Sequence, residues 1–308
     1  MSSTTFAIQT EHLTKRFASG QGVFDLSLSV PEQSIFGFLG PNGAGKTTTI
    51  RLLLSLIEPD RGAVRLFSEP ISRRSRAGLR HVGALVEAPS LYGHLSGTDN
   101  LDVTRRLLAL PPERIPEVLA LVELSGDAHR PVRDYSLGMR QRLALALALL
   151  SKPRLLILDE PANGLDPAGI QDLRALLRRL VREGLTVFLS SHLLAELELI
   201  ATHVAVLQTG RLLFEGELEA LRRRNRPRLK IRCTEPGRAA ELLARAGEPP
   251  HEVCGDTLRL EPRTSSASAL NRLLVEAGIG VDELTCEEPS LEALFFHLTR
   301  PAGEAAHV

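Results

Sequence analysis

The 308-residue chain contains no tryptophan, two tyrosines and three cysteines, and its aromatic content is 4%. It carries no net charge, with 37 Lys+Arg against 37 Asp+Glu. That balance argues against a dedicated nucleic-acid binder, which shows a basic excess on at least one face. Lysine is scarce, with only Lys15, Lys46, Lys152 and Lys230, so arginine carries nearly all the positive charge. No run approaches the roughly 18 apolar residues that a membrane span needs. The longest candidate, Leu143 to Leu150, reads as a buried helix. The opening MSSTTFAIQTEH has neither the basic start nor the apolar stretch of a secretory signal. Cys233, Cys254 and Cys286 are odd in number and lack metal-ligand spacing, so buried thiols in a reducing compartment are expected. Together these absences predict a cytoplasmic protein.

What is present is 43% hydrophobic and 24% charged, the balance of a globular protein, in a length suited to two domains. Apolar runs alternate with helical patterns through the first 215 residues, the signature of α/β structure. Strands are expected at Ile35–Leu39, Leu155–Leu158, Thr186–Ser190 and His203–Leu207, and a helix near Thr47–Ile57. Between Pro89 and Arg133 helical spacing replaces the strands, which reads as a helical insertion. The basic run from Arg222 to Arg228 breaks the chain; it reads as a helix end and solvated linker, or as a phosphate or lipid-headgroup contact. Beyond it the pattern predicts strand (Arg228–Cys233), helix (Gly237–Ala246), strands (His251–Cys254 and Thr257–Leu260), helix (Ala267–Ala277) and strand (Gly280–Thr285). This βαββαβ order fits a small ferredoxin-like α+β unit, closed by a last helix at Leu291–Thr299. Cys233 and Cys254 end two of these strands, and Cys286 directly follows the last.

Three segments carry chemistry. Gly40-Pro41-Asn42-Gly43-Ala44-Gly45-Lys46-Thr47 fits Gly-x4-Gly-Lys-Ser/Thr, a loop whose glycines turn backbone N–H groups toward phosphate oxygens at a helix start. In such a loop Lys46 reaches the β- and γ-phosphates, the Thr47 hydroxyl binds Mg²⁺ and Thr48 donates to the α-phosphate. Leu155-Leu156-Ile157-Leu158-Asp159-Glu160 is an apolar strand ending in two carboxylates. It places Asp159 to hold Mg²⁺ through water, and Glu160 to polarise the attacking water as general base or positioning group. Tyr135-Ser136-Leu137-Gly138-Met139-Arg140-Gln141 starts a long helix behind a serine, a second anion-binding helix terminus.

This last segment resembles the signature motif of the ATP-binding-cassette (ABC) transporter ATPases, commonly Leu-Ser-Gly-Gly-Gln. Tyr135, Leu137 and Met139-Arg140 depart from that form, while Ser136 and Gly138 keep it. Asn163-Gly164-Leu165-Asp166 resembles the family's D-loop, and His192, after Ser190-Ser191, its switch histidine. Phe17 stands where the family stacks an aromatic on adenine, with core packing as the alternative. Where the family places the Q-loop glutamine this chain has Glu87, a carboxylate that can still coordinate Mg²⁺. The run Glu87–Gly97 resembles the branch exporting bacitracin and lantibiotic-like peptides. Ser290–Phe295 resembles the extension of multidrug export ATPases.

The resemblance implies an α/β P-loop NTPase of ABC type over residues 1–222, with a helical subdomain about 89–150, and an accessory α+β domain over 228–308. It implies an ATP- and Mg²⁺-dependent ATPase, peripheral on the inner face of the cell membrane. Such a chain works as a head-to-tail homodimer docked on a separate polytopic permease and energises export of drugs or peptide antibiotics. Nucleotide would lie between the Gly40–Thr47 loop of one copy and Ser136, Gly138 and Asp166 of the other. Two rivals are a soluble ABC ATPase acting on ribosomes or nucleic acid, and a regulatory subunit that binds ATP without turnover. A single cassette without heptads or basic excess weighs against the first, and intact Lys46, Asp159, Glu160 and His192 against the second.

Overall fold

A computed structural model describes residues 5–86, 90–192, 194–224, 228–262 and 264–287. The chain divides into two compact units, Met1–Leu218 and Glu219–Val308.

The first unit holds two sheets. Strands β1 (Phe6–Arg16), β2 (Gly22–Pro31), β4 (Arg61–Leu66) and β5 (Glu69–Ile71) form an antiparallel sheet ordered β2-β1-β4-β5. The other is built on β3 (Ile35–Leu39), with β6 (Val82–Leu85), β7 (Leu155–Asp159), β8 (Thr186–Ser191), β9 (His203–Gln208) and β10 (Arg211–Glu217), in the order β10-β9-β3-β8-β7-β6. Five of its strands run parallel, and β10 closes one edge antiparallel. Every residue of β3, β7 and β8 is buried, which is why they read as unbroken apolar runs. Leu13, Leu26 and Val64 of the first sheet share one core with Phe36, Phe38, Ile157 and Phe188 of the second. Phe36 and Phe188 stack with ring centroids 5.7 Å apart.

Helix α1 (Lys46–Leu53) follows β3 directly. It ends before the Ile57 expected from the apolar spacing, because Leu54 caps it and Ser55 turns left-handed at φ 53°. The helical region opens with α2 (Gly97–Leu107), started by a reciprocal cap in which Ser96 Oγ accepts from Asp99 N and the Asp99 carboxylate accepts from Ser96 N. It continues through α3 (Arg114–Leu121) and α4 (Leu137–Leu149). The latter buries Leu143, Ala144, Leu145, Ala146, Ala148 and Leu149, so the longest apolar run is a core helix. Helices α5 (Pro167–Arg182) and α6 (Leu194–Glu198) complete the unit, and α7 (Leu218–Arg224) begins at its boundary. Among the described residues no helix is long and apolar enough to cross a membrane.

The second unit contains β11 (Arg228–Cys233), α8 (Pro236–Arg245), β12 (Glu252–Cys254), β13 (Thr257–Leu260), α9 (Ala267–Glu276) and β14 (Val281–Glu287). Its antiparallel sheet is ordered β12-β13-β11-β14, the βαββαβ arrangement expected from the pattern. Ala239 and Leu243 of α8 and Leu270 and Leu274 of α9 pack on the face bearing Leu229, Ile231, Leu258 and Leu260. The expected final helix, Leu291–Thr299, lies outside the described residues. The buried-thiol expectation holds for Cys233 and fails for Cys254 and Cys286, both exposed. Those two sit on β12 and β14, the edge strands, where a place in the sheet does not bring cover by the helices.

Candidate functional site

Strand β3 delivers its loop to the C-terminal edge of the parallel strands, where open α/β sheets form their ligand crevices. The loop is shaped by its glycines. A Cβ on Gly40 would stand 2.6 Å from the Leu207 carbonyl oxygen, and Gly45 holds φ +105°, which favours glycine. Ala44 N donates to the Pro41 carbonyl at 3.1 Å and Ala44 O accepts from Gly210 N at 2.9 Å, so the loop is pinned to the turn that joins β9 and β10. Helix α1 has no side-chain cap, whereas α2, α4 and α5 are capped by Ser96, Ser136 and Asp166. The first N–H groups of α1, with the positive end of its dipole, therefore open to the loop side.

Lys46, 6% exposed, donates to the Gly40 carbonyl at 2.8 Å and lies 3.2 Å from Glu160 Oε1. Thr47 Oγ1 donates to Asp159 Oδ2 at 2.8 Å, and Ser190 Oγ donates to Asp159 Oδ1 at 2.5 Å. Glu160 follows at φ 49°, a left-handed conformation that costs a non-glycine residue roughly 1–2 kcal/mol. The turn lifts its carboxylate off the strand line, where Oε2 meets His192 Nδ1 at 2.7 Å and accepts from His192 N at 3.3 Å.

A cleft of about 300 Å³ is lined by Phe17, Pro41, Asn42, Gly43, Gly45, Lys46, Thr47, Thr48 and Glu160. Gly40 and Ala44 form the loop behind it, and Asp159 is reached through Thr47. Phe17 is 42% exposed, so core packing is not its role. The structure thus brings together the phosphate loop, both carboxylates, His192 and Phe17. Ser136, Gly138 and Asp166 line a separate cavity of about 630 Å³. There Ser136 Oγ accepts from Met139 N at 3.2 Å, and Asp166 Oδ1 accepts from Gly169 N at 2.9 Å, each capping its own helix. Within one chain these three do not join the Lys46 cleft. Glu87 lies outside the described residues.

Two residues at this centre were not singled out from the sequence. Gln141 Nε2 donates to the Pro161 carbonyl at 2.9 Å, tying α4 to the turn after Glu160. Ser190 contacts Asp159 and the Glu160 backbone together; its signal was its place two residues before His192 at the end of an apolar strand.

The family model described as ABC transporter matches residues 23–163. The chain is 40% identical to the bacitracin transport ATP-binding protein BcrA of Bacillus licheniformis over 94% of this chain and 96% of that one. It is 34% identical to the daunorubicin resistance ATP-binding protein DrrA3 of Streptomyces coeruleorubidus, over 97% and 99%. A solved structure of an ATP-binding subunit of an ABC transporter superposes with TM-score 0.64 at 28% identity, covering 71% of this chain and 92% of that one. With its phosphate loop, paired carboxylates and full-length relatives, this chain belongs to the ATP-binding subunits of ABC transporters and is an ATP-binding ATPase.

Proposed function

We propose that this chain energises the export of drugs or peptide antibiotics through a separate transmembrane permease, two copies closing head to tail around ATP. The observation that carries the closing step is the division of the site. Lys46, Thr47 and Glu160 line one cleft, while the Ser136 and Gly138 helix start lies at another cavity. A phosphate loop alone leaves much of a γ-phosphate uncovered, and a second helix terminus from a twin copy supplies the missing N–H donors. The export assignment is supported by full-length relatives named for bacitracin transport and daunorubicin resistance.

The residues fit a hard cation. Thr47 gives its hydroxyl proton to Asp159, which leaves its oxygen lone pairs free, and carboxylate and hydroxyl oxygens are the ligands Mg²⁺ prefers. Thr47 and Asp159 would hold it, with Glu87 as a further oxygen donor. Bound there, Mg²⁺ would neutralise charge on the β- and γ-phosphoryl oxygens. Lys46 would exchange its carbonyl and Glu160 partners for phosphate oxygens. Glu160, released from Lys46 and kept in place by His192, would polarise the attacking water. Phe17 at the rim would stack on the adenine.

The cassette is assigned to residues 1–222, its helical subdomain to about 89–150 and the accessory domain to 228–308. Docking on the permease is assigned to the helical insertion near Glu87–Leu95, within which Tyr92 is 52% exposed. On this reading the chain is peripheral on the inner face of the cell membrane. Sedimentation of Glu160→Gln with saturating Mg-ATP tests the closed pair: a dimer is expected, and a monomer overturns the reading. Export is tested by purifying the chain with the permease encoded beside it; stimulation of ATPase by drugs or peptide antibiotics is expected, and indifference to all of them overturns that assignment.

A further inference from the structure

Ser190 is fully buried on β8, in parallel register with Asp159 of β7. Its one hydroxyl joins two partners of the active centre. It donates to Asp159 Oδ1 at 2.5 Å and accepts from the Glu160 backbone N–H at 3.0 Å. The direction is forced by chemistry: a backbone N–H only donates, so the serine proton must go to the carboxylate, which as an anion only accepts.

Asp159 is therefore held at both oxygens by hydroxyls from different elements, Thr47 at the start of α1 and Ser190 near the end of β8. Two donors on opposite oxygens fix the plane of the carboxylate while leaving each oxygen a lone pair. Glu160, one residue on, has turned left-handed, and the Ser190 oxygen takes up its N–H. Two residues beyond Ser190, His192 binds the Glu160 carboxylate through ring and backbone nitrogens. The end of β8 thus grips Glu160 at its backbone and at its side chain.

We infer that Ser190 is a positioning residue for the hydrolysis assigned above: it sets the orientation of Asp159, the metal-side carboxylate, relative to Glu160, the water-side carboxylate. Consecutive carboxylates on a strand end would otherwise vary independently, one with its rotamer and the other with its backbone turn. A single hydroxyl bonded to both couples them. Groups that orient the ligands of a metal in this way alter affinity or activity by about 10- to 100-fold when removed.

The inference rests on the ATPase reading, and its test keeps the two apart. The full chain, Ser190→Ala and Ser190→Thr are compared for melting temperature, for kcat and KM with ATP, and for equilibrium binding of a non-hydrolysable ATP analogue with and without Mg²⁺. In Ser190→Ala the expected result is a folded protein whose kcat falls about 10- to 100-fold and whose gain in analogue affinity on adding Mg²⁺ shrinks, while its analogue affinity without Mg²⁺ matches the parent. Ser190→Thr, which keeps the hydroxyl, should restore both. A parent chain without ATPase activity would sink the reading itself. An active parent matched by Ser190→Ala in rate and in Mg²⁺-dependent binding would overturn the inference alone, as would a folded Ser190→Thr no better than the alanine variant. Should Ser190→Ala not fold, Ser190→Cys, of similar size but a far weaker donor, takes its place under the same two criteria.

Discussion

Lys46 Nζ stands 3.2 Å from Glu160 Oε1 while donating to the Gly40 carbonyl, so the buried lysine ties the phosphate loop to the carboxylate at the end of β7. The ion pair keeps a desolvated ammonium compensated until a phosphate can take it over. Lys46→Ala should remove the cation that polyphosphate requires. Equilibrium titration with ATP should show affinity lowered at least about tenfold, or about 1.4 kcal/mol. Equal affinity in the two proteins would remove Lys46 from the phosphate site.

His192 meets the Glu160 carboxylate on the side away from Lys46, using the other oxygen. His192→Ala should therefore leave nucleotide binding nearly intact and lower kcat by about a hundredfold. Steady-state ATPase beside a binding titration checks the split. A variant that loses affinity and rate in equal measure would make the histidine a binding group instead.

Much of this centre could be read from residue order, because its parts are local. The Gly40–Thr47 loop needs glycines at fixed places, and β7 is apolar on both faces up to Asp159, so each announces itself within eight residues. Ser190 could not be read in that way: its partners are 31 and 30 residues distant, and only the parallel register of β7 and β8 brings them together. The cysteines show the same limit. Strand membership was legible for Cys233 and Cys254, and Cys286 lies one residue past the strand expected at Gly280–Thr285. Cover, however, depends on which strands become edges, and Cys254 and Cys286 lie on edges. The antiparallel sheet of β1, β2, β4 and β5 left a weak trace, since bulges interrupt the alternation of β1 at Thr10 and Leu13.

Gly83 on β6 lies where α4 crosses the sheet, and a Cβ there would stand 2.0 Å from the Ala148 carbonyl oxygen. The obstacle is backbone, so relief requires moving the helix or the strand. Gly83→Ala should cost about 2–3 kcal/mol. Thermal unfolding should register this as a drop of several degrees, and an unchanged midpoint would mean the helix shifts freely.

Glu215 on β10 accepts from Ser29 N at 2.6 Å, and burial pushes its carboxyl above the ordinary glutamate value. A raised folded-state value means that the native chain holds this proton more tightly than the unfolded chain. Its stabilising contribution is full below the unfolded value near 4.5 and is lost as pH rises through the folded one. Glu215→Gln keeps the acceptor without the charge. It should melt higher than the parent at neutral pH, with the difference vanishing below about pH 4.5. A gap that is constant with pH would show that ionisation of Glu215 is not its cause.

Gly138 offers a test that separates the fold of one chain from the site of the proposed pair. The nearest atoms to a Cβ there are 3.7 and 3.9 Å away, so Gly138→Asp fits, and an acid in the first turn of α4 favours its helix. The same carboxylate would repel a γ-phosphate brought by a twin copy. Gly138→Asp should therefore fold normally and lose turnover, as Lys46→Ala loses it from the other side of the nucleotide. Mixing the two inactive proteins then discriminates. A head-to-tail mixed pair unites the intact loop of one variant with the intact helix start of the other, while both lesions fall together in the second site. ATPase that appears only on mixing is the expected result. A mixture no more active than its separate components would mean that each chain completes its own site, and the division between Lys46 and Ser136 would need a closing motion within the chain.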